Sequence, residues 1–84
     1  MTISEQELRD QIVHFVKDGP SHQRPLSEIF HHFEIDPKIF RSKERARAEV
    51  HIAIQYLAKV TPSRLIRVEG TEEDPTYTTS KSVL

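Results

Sequence analysis

The chain has 84 residues, 36% of them hydrophobic, no cysteine and a formal net charge of −1. That is one small domain with a modest core, which disfavours a catalytic domain built around a deep cleft and excludes both a disulfide framework and a thiolate metal site. No apolar run approaches the ~20 residues of a membrane span and the first residues lack the layout of a signal peptide, so a soluble, cytoplasmic domain is expected.

The first helix has a sharp start. Ser4 and Glu7 form a capping box, Ile3 and Leu8 can close over it as a hydrophobic staple, and Leu8, Ile12, Phe15 and Val16 give a buried stripe. Gly19 and Pro20 stop this helix, which is predicted over residues 5–18. The next six residues, PSHQRP, are too polar and proline-rich for a helix and read as a loop. Ser27 is a good N-cap, and Ile29, Phe30 and Phe33 define a second, short helix over 27–35. Asp36 and Pro37 restart helical geometry, with Ile39 and Phe40 as apolar anchors. Residues 37–41 read equally as a separate turn or as the first turns of the next helix, with Ser42 placed to cap a helix from Lys43.

The third helix, predicted over 43–60, organises the chain. Ala46, Val50, Ala53, Ile54 and Leu57 recur three and four residues apart and share one face, the core side. Arg45 and Arg47 flank that stripe, whereas Glu44, His51, Gln55 and Lys59 project away from it. Ala48, Ile52 and Tyr56 also step by four, on the opposite side. Either the helix is buried on both sides, between the first helix and the hairpin, or this second stripe meets a partner or a second copy.

Beyond Val60 the period changes. Thr61, Pro62 and Ser63 break the helix, Leu65 to Glu69 reads as a strand, GTEEDP as a polar turn and Thr76 to Thr79 as a returning strand, giving a hairpin over 65–79. The tail 80–84 is expected to fray unless Val83 and Leu84 dock on a neighbour.

The near-neutral total conceals a basic middle. Residues 1–37 carry three Lys/Arg against seven Asp/Glu, residues 38–67 eight against two, and residues 68–84 one against four. Such a distribution fits a local anion-binding face, and it fits equally a solvated helix paired with acids of the first helix. Other chemistry has little support. There are only two glycines, so no phosphate-binding glycine loop is possible, and the acids at Glu72 to Asp74 share one turn instead of facing each other across a cleft. Among five histidines no His-x-x-x-His spacing occurs, and the adjacent His31 and His32 point in different directions, so no metal or cofactor is expected. Glu28 and His32 have the spacing of a surface ion pair, and His31 and His32 could add charge near pH 6 to 7.

Helix, short helix, longer basic helix, hairpin: in this order the chain resembles the winged helix-turn-helix family from about Ile3 to Thr79. The residues that carry the likeness are PLSEIF, similar to the start of that family's second helix, and LIRVEGTEEDPTYTTS, similar to its two-stranded wing. The resemblance implies an α+β, mainly α domain whose third helix enters the major groove of duplex DNA, as in a transcriptional regulator. The matching candidates are Arg41, Lys43, Arg45, Arg47, Lys59 and Arg64 for phosphates, with His51 beside them. Arg45 could pair with guanine, Gln55 with adenine, and Ala48 or Ile52 could touch a thymine methyl. Two features depart from that pattern: the wing turn is acidic at Glu69, Glu72, Glu73 and Asp74, and Ala48, Ile52 and Tyr56 place apolar groups on the groove-facing side. They define the alternative, a winged-helix module that binds a protein through its acidic wing and that stripe. No enzyme activity or small-molecule substrate is expected.

Overall fold

The computed structural model describes residues 4–34, 40, 42–60 and 63–79. The expectations for Ile3, for 35–39, for Arg41, for Thr61 and Pro62 and for the tail 80–84 lie outside the described residues. Three helices, α1 (Glu5–Lys17), α2 (Leu26–Glu34) and α3 (Lys43–Lys59), pack with strands β1 (Gln23–Pro25), β2 (Leu65–Gly70) and β3 (Pro75–Thr79). The architecture is α+β and mainly α, as the sequence predicts, with each helix end within a residue of its predicted position.

The Ser4 hydroxyl accepts the Glu7 N–H at 3.1 Å, so α1 starts on its predicted cap. Its buried residues are Leu8, Ile12, Val13 and Val16. Val13 takes the place expected for Phe15, which is only partly buried: its ring stacks on His32 at 4.0 Å and lies 4.3 Å from the Arg24 guanidinium. Glu28, expected opposite His32, takes a 3.3 Å contact from Arg24.

The PSHQRP stretch is not a plain loop. Pro20–His22 is a tight turn and Gln23–Pro25 is a strand, so the predicted two-strand hairpin belongs to a three-stranded antiparallel sheet in the order β1-β3-β2. Gly19 permits this. A Cβ there would strike the Gln23 carbonyl oxygen and the Arg24 side chain. The chain then passes through the left-handed region at Ser21 (φ 56°) and His22 (φ 59°), conformations that cost non-glycine residues about 1–2 kcal/mol each. Hydrogen bonds hold the turn there: His22 Nδ1 lies 2.7 Å from the Lys17 carbonyl, and the Thr78 hydroxyl donates to the His22 carbonyl at 3.0 Å.

Gln23 pairs with Thr78 and Pro25 with Thr76 on one side of β3, while Leu65 pairs with Thr79 and Gly70 with Pro75 on the other. The register shifts between Arg67 and Glu69, a bulge that distorts the open edge of β2. All five residues of the predicted α3 stripe are buried, and they join Leu8, Ile12, Ile29, Phe33, Phe40, Leu65 and Tyr77 in a single core.

Candidate nucleic-acid interface

The Ser42 hydroxyl accepts the Arg45 N–H at 3.1 Å and fixes the start of α3. With the core stripe turned inward, the opposite side of the helix is left open. Glu44, Arg45, Ala48, His51, Ile52, Tyr56 and Lys59 are all exposed on it, Gln55 is half-buried, and Lys43 is exposed at the helix start on the side of the core stripe. The possibility that α3 is buried on both sides is thereby excluded, since Ile52 is 64% and Tyr56 50% exposed. The Arg9 guanidinium covers part of the Tyr56 ring at 4.2 Å, at one wall of a groove of about 180 Å³ between α1 and α3.

The predicted cations separate into two groups. Arg47 leans toward α2, where its Nε donates to the Glu34 carboxylate and its guanidinium lies 5.7 Å from the Phe30 ring. Only 7% of the Glu34 side chain is exposed, and Arg47 pairs with it across the α2–α3 seam while 62% of its own side chain stays exposed. Arg64 turns toward α1 and donates to Asp10 at 2.8 Å. That bond, helped by one from Gln6, holds the Asp10 carboxyl below its ordinary range.

Arg45, His51 and Lys59 form the other group, exposed on the open face, with Lys43 exposed at the helix start. Arg45 makes only a 3.8 Å contact with Glu49 one turn on, and its side chain stays 62% exposed, a weak pair that a phosphate can displace. Lys43 and Lys59 have no carboxylate partner among the described residues. The cationic surface is therefore smaller than the sequence suggests, and among the described residues Arg9 of α1 covers part of the same face at Tyr56.

The acidic turn is divided in the same way. Glu69, Glu72 and Glu73 are exposed, whereas Asp74 is structural: its carboxylate accepts the Ser27 N–H at 2.8 Å and the Ser27 hydroxyl at 3.0 Å. Helix α2 begins at Leu26, one residue before its predicted cap, so Ser27 is not the N-cap. Pro25, in the preceding position, has no side-chain oxygen, and Asp74 satisfies the open end of α2 from the hairpin turn. The Thr71 hydroxyl accepts the Asp74 N–H at 3.0 Å and so fixes that carboxylate in place. Sequence reasoning took Asp74 as a turn charge, because the only local signal for the contact is the missing oxygen at Pro25.

A groove of about 410 Å³ along α2, with Phe15, Arg24, Glu28, His31 and His32 in its wall, is mostly apolar. Among the described residues no three His, Asp or Glu side chains are grouped to hold a metal ion, and no helix is long and apolar enough to cross a membrane. Comparison of the chain with protein-family models, with curated proteins and with solved structures returns no match.

Proposed function

We propose that the chain is a winged-helix module that binds duplex DNA with the open side of α3 and acts as a cytoplasmic transcriptional regulator. The observation that carries this reading is the exposure of Arg45, His51 and Lys59 on the open side of a capped helix whose other side is fixed in the core, with Lys43 exposed at its start. Element order supports it too: three helices followed by the β2–β3 hairpin is the order on which the winged-helix resemblance rests. Lys43, Arg45 and Lys59 bind phosphates, and Gln55 and Ile52 face base edges. Arg47 and Arg64 hold the scaffold.

Salt tests the assignment. Three phosphate contacts give a slope near −2.7 in log affinity against log salt, so a random duplex should bind roughly 40-fold more weakly at 200 mM than at 50 mM salt. Arg45→Ala and Lys59→Ala should each reduce the slope by about one, and Arg64→Ala should not change it. A slope that persists undiminished in the Arg45→Ala, Lys59→Ala double variant removes the α3 assignment.

A second reading rests on the exposure of Ile52 and Tyr56 together with the free acids of the turn: a module that docks on a protein, or on a second copy, through α3 and the hairpin. Reversing the charge of Glu72 and Glu73 should abolish capture of a basic protein under that reading and leave DNA binding intact under the first.

A further inference from the structure

We infer that the open side of α3 docks on a second copy of the chain, with Ile52 of each copy seated in the groove between α1 and α3 of the other; the inference rests on the second reading above and names its partner. Among the described residues Ile52 is the most exposed of the large apolar side chains, and it stands at the lip of that groove. The floor is Leu8 and Ala53, both buried, and Ile52 and Tyr56 form the α3 wall. A volume of about 180 Å³ is on the scale of one large aliphatic side chain. A projecting isoleucine and a hole of its size therefore lie side by side on one surface.

Two such surfaces fit each other about a twofold axis, because every contact then occurs twice and the isoleucine of each copy fills the hole of the other. A single copy cannot do this, since its own Ile52 is part of the wall. Ala48, one turn before Ile52 and also exposed, has no side chain beyond Cβ, so two α3 helices can approach to the usual packing distance of about 8–10 Å between axes. Two isoleucines leave water in one contact, which supplies its apolar centre.

The charges around the groove match the incoming side. Glu5 is exposed and Glu49 half-buried, and each makes only a long contact within its own helix, Glu5 with Arg9 at 4.0 Å and Glu49 with Arg45 at 3.8 Å. Such pairs contribute little and exchange partners readily. Arg9 is the fixed member of the wall: it lies 4.2 Å from the Tyr56 ring centre and donates to Gln6 at 3.2 Å. The incoming surface surrounds Ile52 with Arg45, His51 and Lys59. Antiparallel packing about an axis at Ile52 carries Lys59 of one copy toward the Arg45–Glu49 pair of the other, seven residues from the axis on each side. There the carboxylate of Glu49, with Glu5 on the same rim, offsets the repulsion between the two cations. An acidic protein would meet Glu5 and Glu49 as like charges, and a strongly basic one would meet Arg9, Arg45 and Lys59. A face that carries both signs, as this one does, is the better complement.

The test is sedimentation equilibrium of the full chain without DNA over a wide range of concentration, where a reversible monomer–dimer equilibrium is expected. Ile52→Ala removes three carbons from each of two seats and should weaken the dimer at least about 100-fold. In the monomer the same substitution leaves the core alone, so a folding defect does not mimic the loss. Glu5→Lys, which sets a cation against Arg45, His51 and Lys59 of the other copy, should weaken the dimer more at low salt than at high. A monomer at every concentration overturns the inference and leaves the second reading to a different protein. A dimer that forms as tightly with Ile52→Ala also overturns it, because the contact then lies elsewhere. Since the DNA reading uses the same side of α3, duplex added to the dimer should release monomers bound to DNA. A duplex-bound dimer that still depends on Ile52 keeps the inference and removes the assignment of α3 to DNA.

Discussion

Asp74 does for α2 what no residue beside that helix can do. Replacing a capping oxygen with a methyl group costs about 1 kcal/mol in typical cases, so Asp74→Ala should lower unfolding stability by about that amount in urea denaturation. Ser27→Ala should cost less, because the backbone N–H bond to Asp74 survives it. Asp10 gives a pH-dependent counterpart. Its folded pKa is depressed, chiefly by Arg64, so its contribution is fully present above the unfolded-state value of about 3.9 and is lost as pH falls through the lower folded value. Asp10→Asn should therefore be less stable than the parent at pH 7, and the gap should narrow as pH falls below the unfolded-state value; a gap that stays constant through the acid titration would exclude the Arg64 bond as its source. The local cap at Ser4 was readable from sequence because donor and acceptor lie three residues apart. The Ser27–Asp74 and Asp10–Arg64 contacts were not, because their partners are 47 and 54 residues apart and no local periodicity relates them.

Helix α3 shows how one period can encode two sides. Ile54 is fully buried and Ile52, two positions away, is 64% exposed. Ile54→Ala should cost about 2–5 kcal/mol and Ile52→Ala no more than about 0.5 kcal/mol, measured by the same denaturation. Comparable losses at both sites would mean that Ile52 is covered in solution. The inward side is legible because five apolar residues, Ala46 to Leu57, repeat over about three turns. Strand β1 was not: three residues of polar and proline sequence carry no alternation, and what makes them a strand is β3 lying alongside. The same reason explains Phe15, whose spacing fits the α1 stripe but whose ring is held at the rim by Arg24 and His32. Of the candidate site, the composition of the open face could be read from the helical period. The withdrawal of Arg47 and Arg64 from it could not, since that depends on Glu34 and Asp10 in other helices.

At the scale of the molecule, three helices are closed by a sheet whose outer members come from distant parts of the chain. Gln23 in β1 meets Thr78 in β3, and Ser27 at the start of α2 meets Asp74 just before it. The salt titration belongs to this scale as well, because the response of binding to ionic strength sums every cation that the fold leaves outward. The position of β3 also governs how the molecule is assembled. Pairings of such long separation slow folding relative to a plain helical bundle, because the loop must close before the contact forms. On the ribosome, a nascent chain that has not yet released residues 74–79 has α1, α2 and α3 in hand but neither the partner of β1 nor the carboxylate that caps the start of α2. Helix α3 is therefore synthesised before the elements that complete its scaffold, and the finished domain is reached only after the hairpin has emerged.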